Sequence, residues 1–321
     1  MFMKKVCLLI LIWGMALGIS CSKAMRDTPA GPATASEDTG DRKYSDRWGP
    51  PQRIATLADQ TITESSGLVA SPRNPGLFWT HNDSGAGPIL YALDRTGKSA
   101  GVWQVAGAAA KDWEDIAAGP GPDRGTSYLY VGDIGDNSLA RLQVAVYRVP
   151  EPAITPTDAE STAAAPRILE GAVAIELKYP DGSHNAEALM VHPKTGDLYI
   201  VTKERRRPAG VYKLPAAYLV QPGVQTLTRV TELKMPSVVE GMVTGGDISP
   251  DGKHLILCDY FGAYELTLAN GEFDAIWKET PLIVDLGARE IGESICYSLD
   301  GRSLFATSEN LPTPLIEANA K

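Results

Sequence analysis

One phrase of strand, turn and strand recurs along this chain and constrains its fold more than any other feature. Its fullest instance runs Glu187-Ala188-Leu189-Met190-Val191-His192-Pro193, then Lys194-Thr195-Gly196-Asp197, then Leu198-Tyr199-Ile200-Val201. Four other lead phrases overlay on it by their apolar pairs and turn residues. They are Ser66-Gly67-Leu68-Val69-Ala70-Ser71-Pro72, Glu114-Asp115-Ile116-Ala117-Ala118-Gly119-Pro120, Thr244-Gly245-Gly246-Asp247-Ile248-Ser249-Pro250 and Glu293-Ser294-Ile295-Cys296-Tyr297-Ser298-Leu299. Each leads into a second β-type run, such as Leu77-Phe78-Trp79-Thr80 or Leu304-Phe305-Ala306-Thr307, and the first four lead on into a third, such as Val211-Tyr212-Lys213-Leu214. Short β-type runs bounded by Gly, Pro and Asp are strand signals.

A repeat of roughly 50 residues holding about four strands is a propeller blade. The chain is therefore expected to be all-β, a five-bladed β-propeller, with six blades as the alternative if a degenerate blade hides in the Ala/Thr/Pro/Ser-rich stretch of about 152–166. The last repeat has only three strands, and Ile54-Ala55-Thr56-Leu57 precedes the first lead phrase with no blade of its own. Pairing these two closes the ring and removes an exposed edge.

The N-terminus has a different character. Lys4 and Lys5 precede an apolar run from Val6 to Leu17, and Gly18-Ile19-Ser20-Cys21 follows. This is the pattern of a secretory signal peptide, and its end resembles a bacterial lipoprotein processing site with Cys21 as the lipidated residue. A plain cleaved signal is the alternative, because the usual leucine three places before the cysteine is displaced by one. The expected organisation is a signal peptide over 1–21, a flexible tether over 22–52 rich in Thr, Ser, Pro and Gly, and the propeller over 53–321. The expected location is the bacterial cell envelope, with the protein held at a membrane by its lipid and facing periplasm or cell surface.

The formal net charge of −9 excludes nucleic acid as a natural partner. Cys258 and Cys296, in apolar strand-like runs, read as buried free thiols, with a disulfide as the other possibility. No G-x-S-x-G elbow, P-loop or H-E-x-x-H is present.

The innermost strand of each blade lines the propeller axis, so equivalent positions in the lead phrases form a ring. Here that ring is Ser66, Glu114, Glu187, Thr244 and Glu293, with no lysine or arginine in the column. Three carboxylates facing one another require compensation, and a hard cation with oxygen ligands supplies it. Ca²⁺ is the expected ion. The alternative is that the glutamates bind backbone N–H groups of neighbouring blades or face water.

The same ring resembles that of the calcium-activated nucleotidases, the soluble apyrases. Glu240-Gly241-Met242-Val243-Thr244 is similar to that family's Glu-Gly-x-x-Ser phrase. The resemblance implies a five-bladed propeller with an axial Ca²⁺. It covers the lead phrases only and carries over no substrate-handling residues. A looser likeness to gluconolactonase and phytase-like propellers rests on Ser249-Pro250-Asp251-Gly252, a phrase general to the fold.

The ends of the second strands, His81, Asp133, Lys203, Asp259 and Glu309, are expected beside the central mouth. They suggest a pocket for a small anionic substrate bridged by the metal, with His81 or Asp133 as catalytic base. Ordinary turn chemistry is the competing account for each. Asp133-Ile134-Gly135-Asp136-Asn137 carries a weak hint of a calcium loop without its distal glutamate. Two functions follow as expectations. One is metal-assisted hydrolysis of a phosphoester or related ester. The other is a non-catalytic module that binds an envelope glycan or peptide, with a structural ion.

Overall fold

The computed structural model describes residues 43–321 apart from Ser84 and Val238. The expected signal peptide, Cys21 and most of the expected tether lie outside the described residues.

Five sheets, each built on antiparallel strands, make five blades. The first consists of Ser65–Ala70, Leu77–Asn82, Ile89–Asp94 and Ser99–Val105. The second is built from Trp113–Pro120, Ser127–Asp133, Val144–Pro150 and Val173–Lys178. The third contains Ala186–Val191, Leu198–Thr202, Ala209–Leu214 and Thr228–Leu233, and the fourth Gly245–Ile248, His254–Cys258, Ala263–Thr267 and Leu282–Val284. The fifth takes Ser294–Tyr297, Ser303–Thr307 and Pro314–Asn319 from the C-terminus and Gln52–Thr56 from the N-terminus. That last strand pairs antiparallel with Pro314–Asn319, closing the ring.

The innermost strands touch one another in blade order, and the fifth returns to the first. Apolar cores fill the wedges between blades. Trp79, Trp103, Trp113 and Tyr147 pack between the first and second, and Tyr199, Phe273, Ile276 and Trp277 between the third and fourth. Trp113 is buried to 1% exposure as a wedge between blades. Cys258 and Cys296 are free thiols in two different wedges, and burial pushes the Cys258 thiol up to about 12.

No sixth blade is found among the described residues. The stretch after Pro150 leaves the second blade, makes a 3₁₀ turn at Pro156–Glu160 and adds Arg167–Leu169 in parallel to the outer edge of the first blade. It then returns as Val173–Lys178, the second blade's fourth strand. Glu151 anchors this excursion: its carboxylate accepts from Trp79 Nε1 at 2.9 Å, from the Arg73 N–H at 3.1 Å and from the Ser71 hydroxyl.

The folded body also begins before Arg53. Trp48 is 5% exposed and donates its indole N–H to Glu265 Oε2 at 3.0 Å, while Arg47 pairs with Glu265 Oε1 at 2.9 Å. Residues 43–52, expected in the tether, therefore pack on the propeller. The polar composition of this segment concealed two anchors that meet the fourth blade's Glu265.

Candidate functional site

Ser66, Glu114 and Glu187 each occupy the same irregularity of the inner strand. In the first blade Ser65 faces Asn82 and Gly67 faces His81, so Ser66 is the extra residue of a bulge. Glu114 is the extra residue between Trp113 and Asp115, and Glu187 the one between Ala186 and Ala188. A bulge re-aims a side chain that a regular strand would send elsewhere. In the fourth and fifth blades the equivalents, Thr244 and Glu293, stand one residue before the inner strand begins. All five are buried, at 1%, 3%, 3%, 0% and 5% exposure in chain order.

The two hydroxyls serve the backbone. Ser66 Oγ donates to Glu114 O at 2.6 Å, and Thr244 Oγ1 to Gly292 O at 2.8 Å, each reaching the start of the next blade. The carboxylates behave differently. Glu293 Oε2 is buried without a hydrogen-bond partner among the described residues, and Glu187 Oε2 is buried against a single ammonium, that of Lys203. Burial, and then the charge of Glu187 followed by those of Asp83 and Asp112, hold the Glu114 carboxyl far above the usual range. Burial raises Glu187 to about 7, against the opposing pull of Lys203. Burial and a hydrogen bond with Glu309 raise Glu293 further still.

The column does contain a cation, contrary to the expectation from the inner strands. Lys203 follows the second strand of the third blade and folds its side chain inward, leaving it 9% exposed. Its Nζ lies 2.5 Å from Glu187 Oε2 and 3.9 Å from Glu293 Oε1, and donates to the Tyr260 hydroxyl at 2.7 Å. Desolvation lowers its pKa, but the charge and hydrogen bond of Glu187, with the Tyr260 hydroxyl and the Glu293 charge, together outweigh that and raise it. The repeat gave no sign of this because the lysine enters from a neighbouring strand end.

A second acidic group adjoins the ring on the side of the first two blades. Asp83, Asp112 and Glu114 each offer a carboxylate oxygen, all within 4.8 Å of one another. Asp83 and Asp112 are half-buried and Glu114 is buried, so the trio reaches from the axis towards solvent. Burial raises the Asp112 carboxyl, opposed first by Arg141. Gly135 leaves room here: a Cβ on it would collide with Glu114 Oε1 and fall 2.5 Å from Asp112 Oδ2. Asp83 lies in His81-Asn82-Asp83-Ser84-Gly85 and Asp112 beside Trp113, so both belonged to polar phrases legible in the sequence. Their convergence on Glu114 was not.

Asp133 positions this loop. Its Oδ1 pairs with Arg141 at 2.8 Å and accepts the Asp112 N–H at 3.2 Å. Asp136 accepts the N–H groups of Ala140 at 2.9 Å and Arg141 at 2.7 Å. The 133–137 phrase is thus a self-capped turn that supports Asp112, with these oxygens already engaged. His81 is 0% exposed, pairs Nδ1 with Asn82 O at 2.8 Å and packs edge-on against Trp113. Burial lowers its pKa to about 4, keeping the ring neutral. Asp259 caps its own turn, accepting the Phe261 and Gly262 N–H groups at 2.8 and 2.7 Å. Of the five strand ends expected to share a pocket, Lys203 and Glu309 adjoin the ring, and His81, Asp133 and Asp259 are engaged in packing or in turns.

The other end of the axis is apolar. A cavity of about 410 Å³ there is lined by Val69, Pro72, Pro193, Pro250 and Tyr297, among others, with Asp247 at its wall. Asp247 accepts the Tyr297 and Ile248 N–H groups, both at 2.8 Å. Asp115, next along from Glu114, accepts those of Leu189 and Ile116 at 2.9 and 2.8 Å. The cross-blade backbone binding that the alternative reading gave to the glutamates is made by these two aspartates. The chemistry of the site lies at the acidic end, where the carboxylates of Asp83, Asp112 and Glu114 converge.

No known family model matches the chain, and a search of curated proteins finds no match either. What stands is the five-bladed fold. The likenesses to apyrases and gluconolactonases rest on short inner-strand phrases alone.

Proposed function

We propose that this protein binds a divalent cation through Asp83, Asp112 and Glu114 and uses the ion's outward side to hold an anionic ligand. Hydrolysis of a phosphoester or related ester is the reaction this arrangement suits. The observation that carries the reading is the convergence of three carboxylates within 4.8 Å, one buried and two half-buried. Beside them Glu293 Oε2 stands buried and without a hydrogen-bond partner among the described residues, and the buried Glu187 carboxylate faces the Lys203 ammonium. Carboxylates so placed favour an oxygen-coordinated hard cation, and Ca²⁺ tolerates such an irregular oxygen set better than Mg²⁺ does. The bound ion would supply Lewis acidity and orientation. Lys203, beside Glu187, and Arg289, whose Nε and Nη1 are buried without partners among the described residues, stand at the same end of the blades and favour negative charge in a ligand.

A non-catalytic reading has its own support. His81 and Asp133, the candidate bases, are engaged in packing and in an ion pair. The protein would then be an exported, lipid-anchored envelope module whose ion orders a surface for a glycan or peptide.

The test is calorimetric titration of the chelator-treated full chain with Ca²⁺ and Mg²⁺, followed by turnover assays with p-nitrophenyl phosphate and nucleotides. Saturable binding that Asp112→Asn abolishes supports the site, and turnover dependent on the ion selects hydrolysis. Absence of binding by either ion overturns both readings.

A further inference from the structure

A buried guanidinium without a carboxylate partner among the described residues lies between the second and third blades, far along the blades from the acidic trio. Arg148 belongs to Val144–Pro150 and is 6% exposed. Its Nη1 donates to Leu219 O at 3.1 Å, and its guanidinium lies 5.7 Å from the centroid of the Tyr128 ring. The Tyr130 hydroxyl is a further neutral neighbour, itself donating to Pro120 O at 2.5 Å. A buried charge is ordinarily paired, because its desolvation is otherwise uncompensated.

Two hollows meet at this side chain. One of about 120 Å³ lies towards Pro120 and Gly196, and one of about 460 Å³ lies along Val173–Glu176 and the segment from Leu219 to Gly223. The larger is within the size range of small-molecule sites. Its walls are mainly apolar, and they include Val173 and Val220, left 48% and 55% exposed. Val173 is the direct cross-strand partner of Arg148, so it stands beside the arginine on the same sheet face. The strand Val173–Lys178 is covered by Gln225–Thr226 only at Leu177 and Lys178, which leaves this wall open.

We propose that this cavity binds a small amphiphilic carboxylate, with its head on Arg148 and its apolar tail along Val173 and Val220. A guanidinium holds a carboxylate through two parallel N–H groups. The exposed valines gain from covering by a tail. The one carboxylate on the cavity wall, Glu176, belongs to an exposed position of its strand and forms no ion pair with Arg148.

Octanoate is the probe, with octanol as its uncharged match, octylamine as its opposite and acetate as its head alone, each titrated calorimetrically into the full chain. Octanoate should bind saturably and roughly tenfold or more tighter than the other three, the factor expected from one charge-assisted contact. Arg148→Met should weaken it by at least that factor. Val173→Glu, which sets a carboxylate opposite the arginine, should abolish octanoate binding and raise the Tm of the ligand-free protein. If Arg148→Met fails to fold, Val173→Glu decides alone. Equal binding of octanoate and octanol, no saturable heat with octanoate, or a Val173→Glu variant that binds octanoate as the parent does would each overturn the assignment.

Discussion

Lys203 Nζ stands 2.5 Å from Glu187 Oε2 inside a ring of inner strands that otherwise presents carboxylates and hydroxyls. The ammonium supplies part of the positive charge the ring requires. Replacing it with Lys203→Met leaves Glu187 and Glu293 buried without it, and breaking a buried pair by removing one partner costs about 3–5 kcal/mol. The variant should lose stability by about that much in chelator, and should recover more on adding Ca²⁺ than the parent gains. Denaturant unfolding with and without the ion measures both.

Gly135 faces the acidic trio so closely that a methyl group has no room beside Glu114 Oε1. Gly135→Ala should therefore displace the Glu114 and Asp112 carboxylates and weaken Ca²⁺ binding roughly tenfold or more, as expected when a ligand set loses its geometry. Unchanged affinity by titration calorimetry would remove Glu114 from the ligand set.

Asp115 joins three inner strands, accepting N–H groups from Ile116, Leu189 and, at 3.4 Å, Gly246. Asp115→Ala strands those donors in the buried axis, and each buried unsatisfied group costs about 1–3 kcal/mol. Loss of about 3 kcal/mol or more in chemical unfolding is expected, without dependence on divalent ions.

Asp247 has its carboxyl raised to about 7 by burial, with the Tyr297 and Ile248 N–H groups pulling the other way. Between about pH 4 and pH 7 the folded chain holds a proton there that the unfolded chain has released, so this residue's contribution to stability falls as pH rises through that window. Relative to Asp247→Asn, the parent should therefore gain Tm as pH is lowered from about 7 to about 4. A difference in Tm that stays constant with pH would show that the carboxyl does not titrate in this range.

The fold was legible because a blade is a local unit. Strand, turn and strand follow within each repeat, and the shared lead phrase set the blade count and the closing role of Ile54-Ala55-Thr56-Leu57. The Pro/Ala/Thr-rich excursion left its destination unreadable. Its contacts are with the first blade, through Glu151 and the short strand Arg167–Leu169, and nothing in its composition names a partner distant along the chain. The same limit explains Trp48, whose indole finds Glu265 at a separation of 217 positions.

The ring positions were readable from the sequence, since Ser66, Glu114, Glu187, Thr244 and Glu293 occupy equivalent places in the repeat. The pairing of Lys203, expected at the central mouth, with Glu187 and the convergence of Asp83 and Asp112 on Glu114 were not. Lys203, Asp83 and Asp112 come from strand ends and loops, where position along the chain says little about direction in space. The bulges at Ser66, Glu114 and Glu187 turn those side chains, and the Asp133–Arg141 pair holds Asp112 in place. Sequence alone determined the repeat, the strand order within blades and the acidic character of the axis, because these depend on short-range periodicity. Tertiary structure alone decided which charges meet, because closing the ring brings together side chains whose separation along the chain carries no energetic signal until the blades have packed.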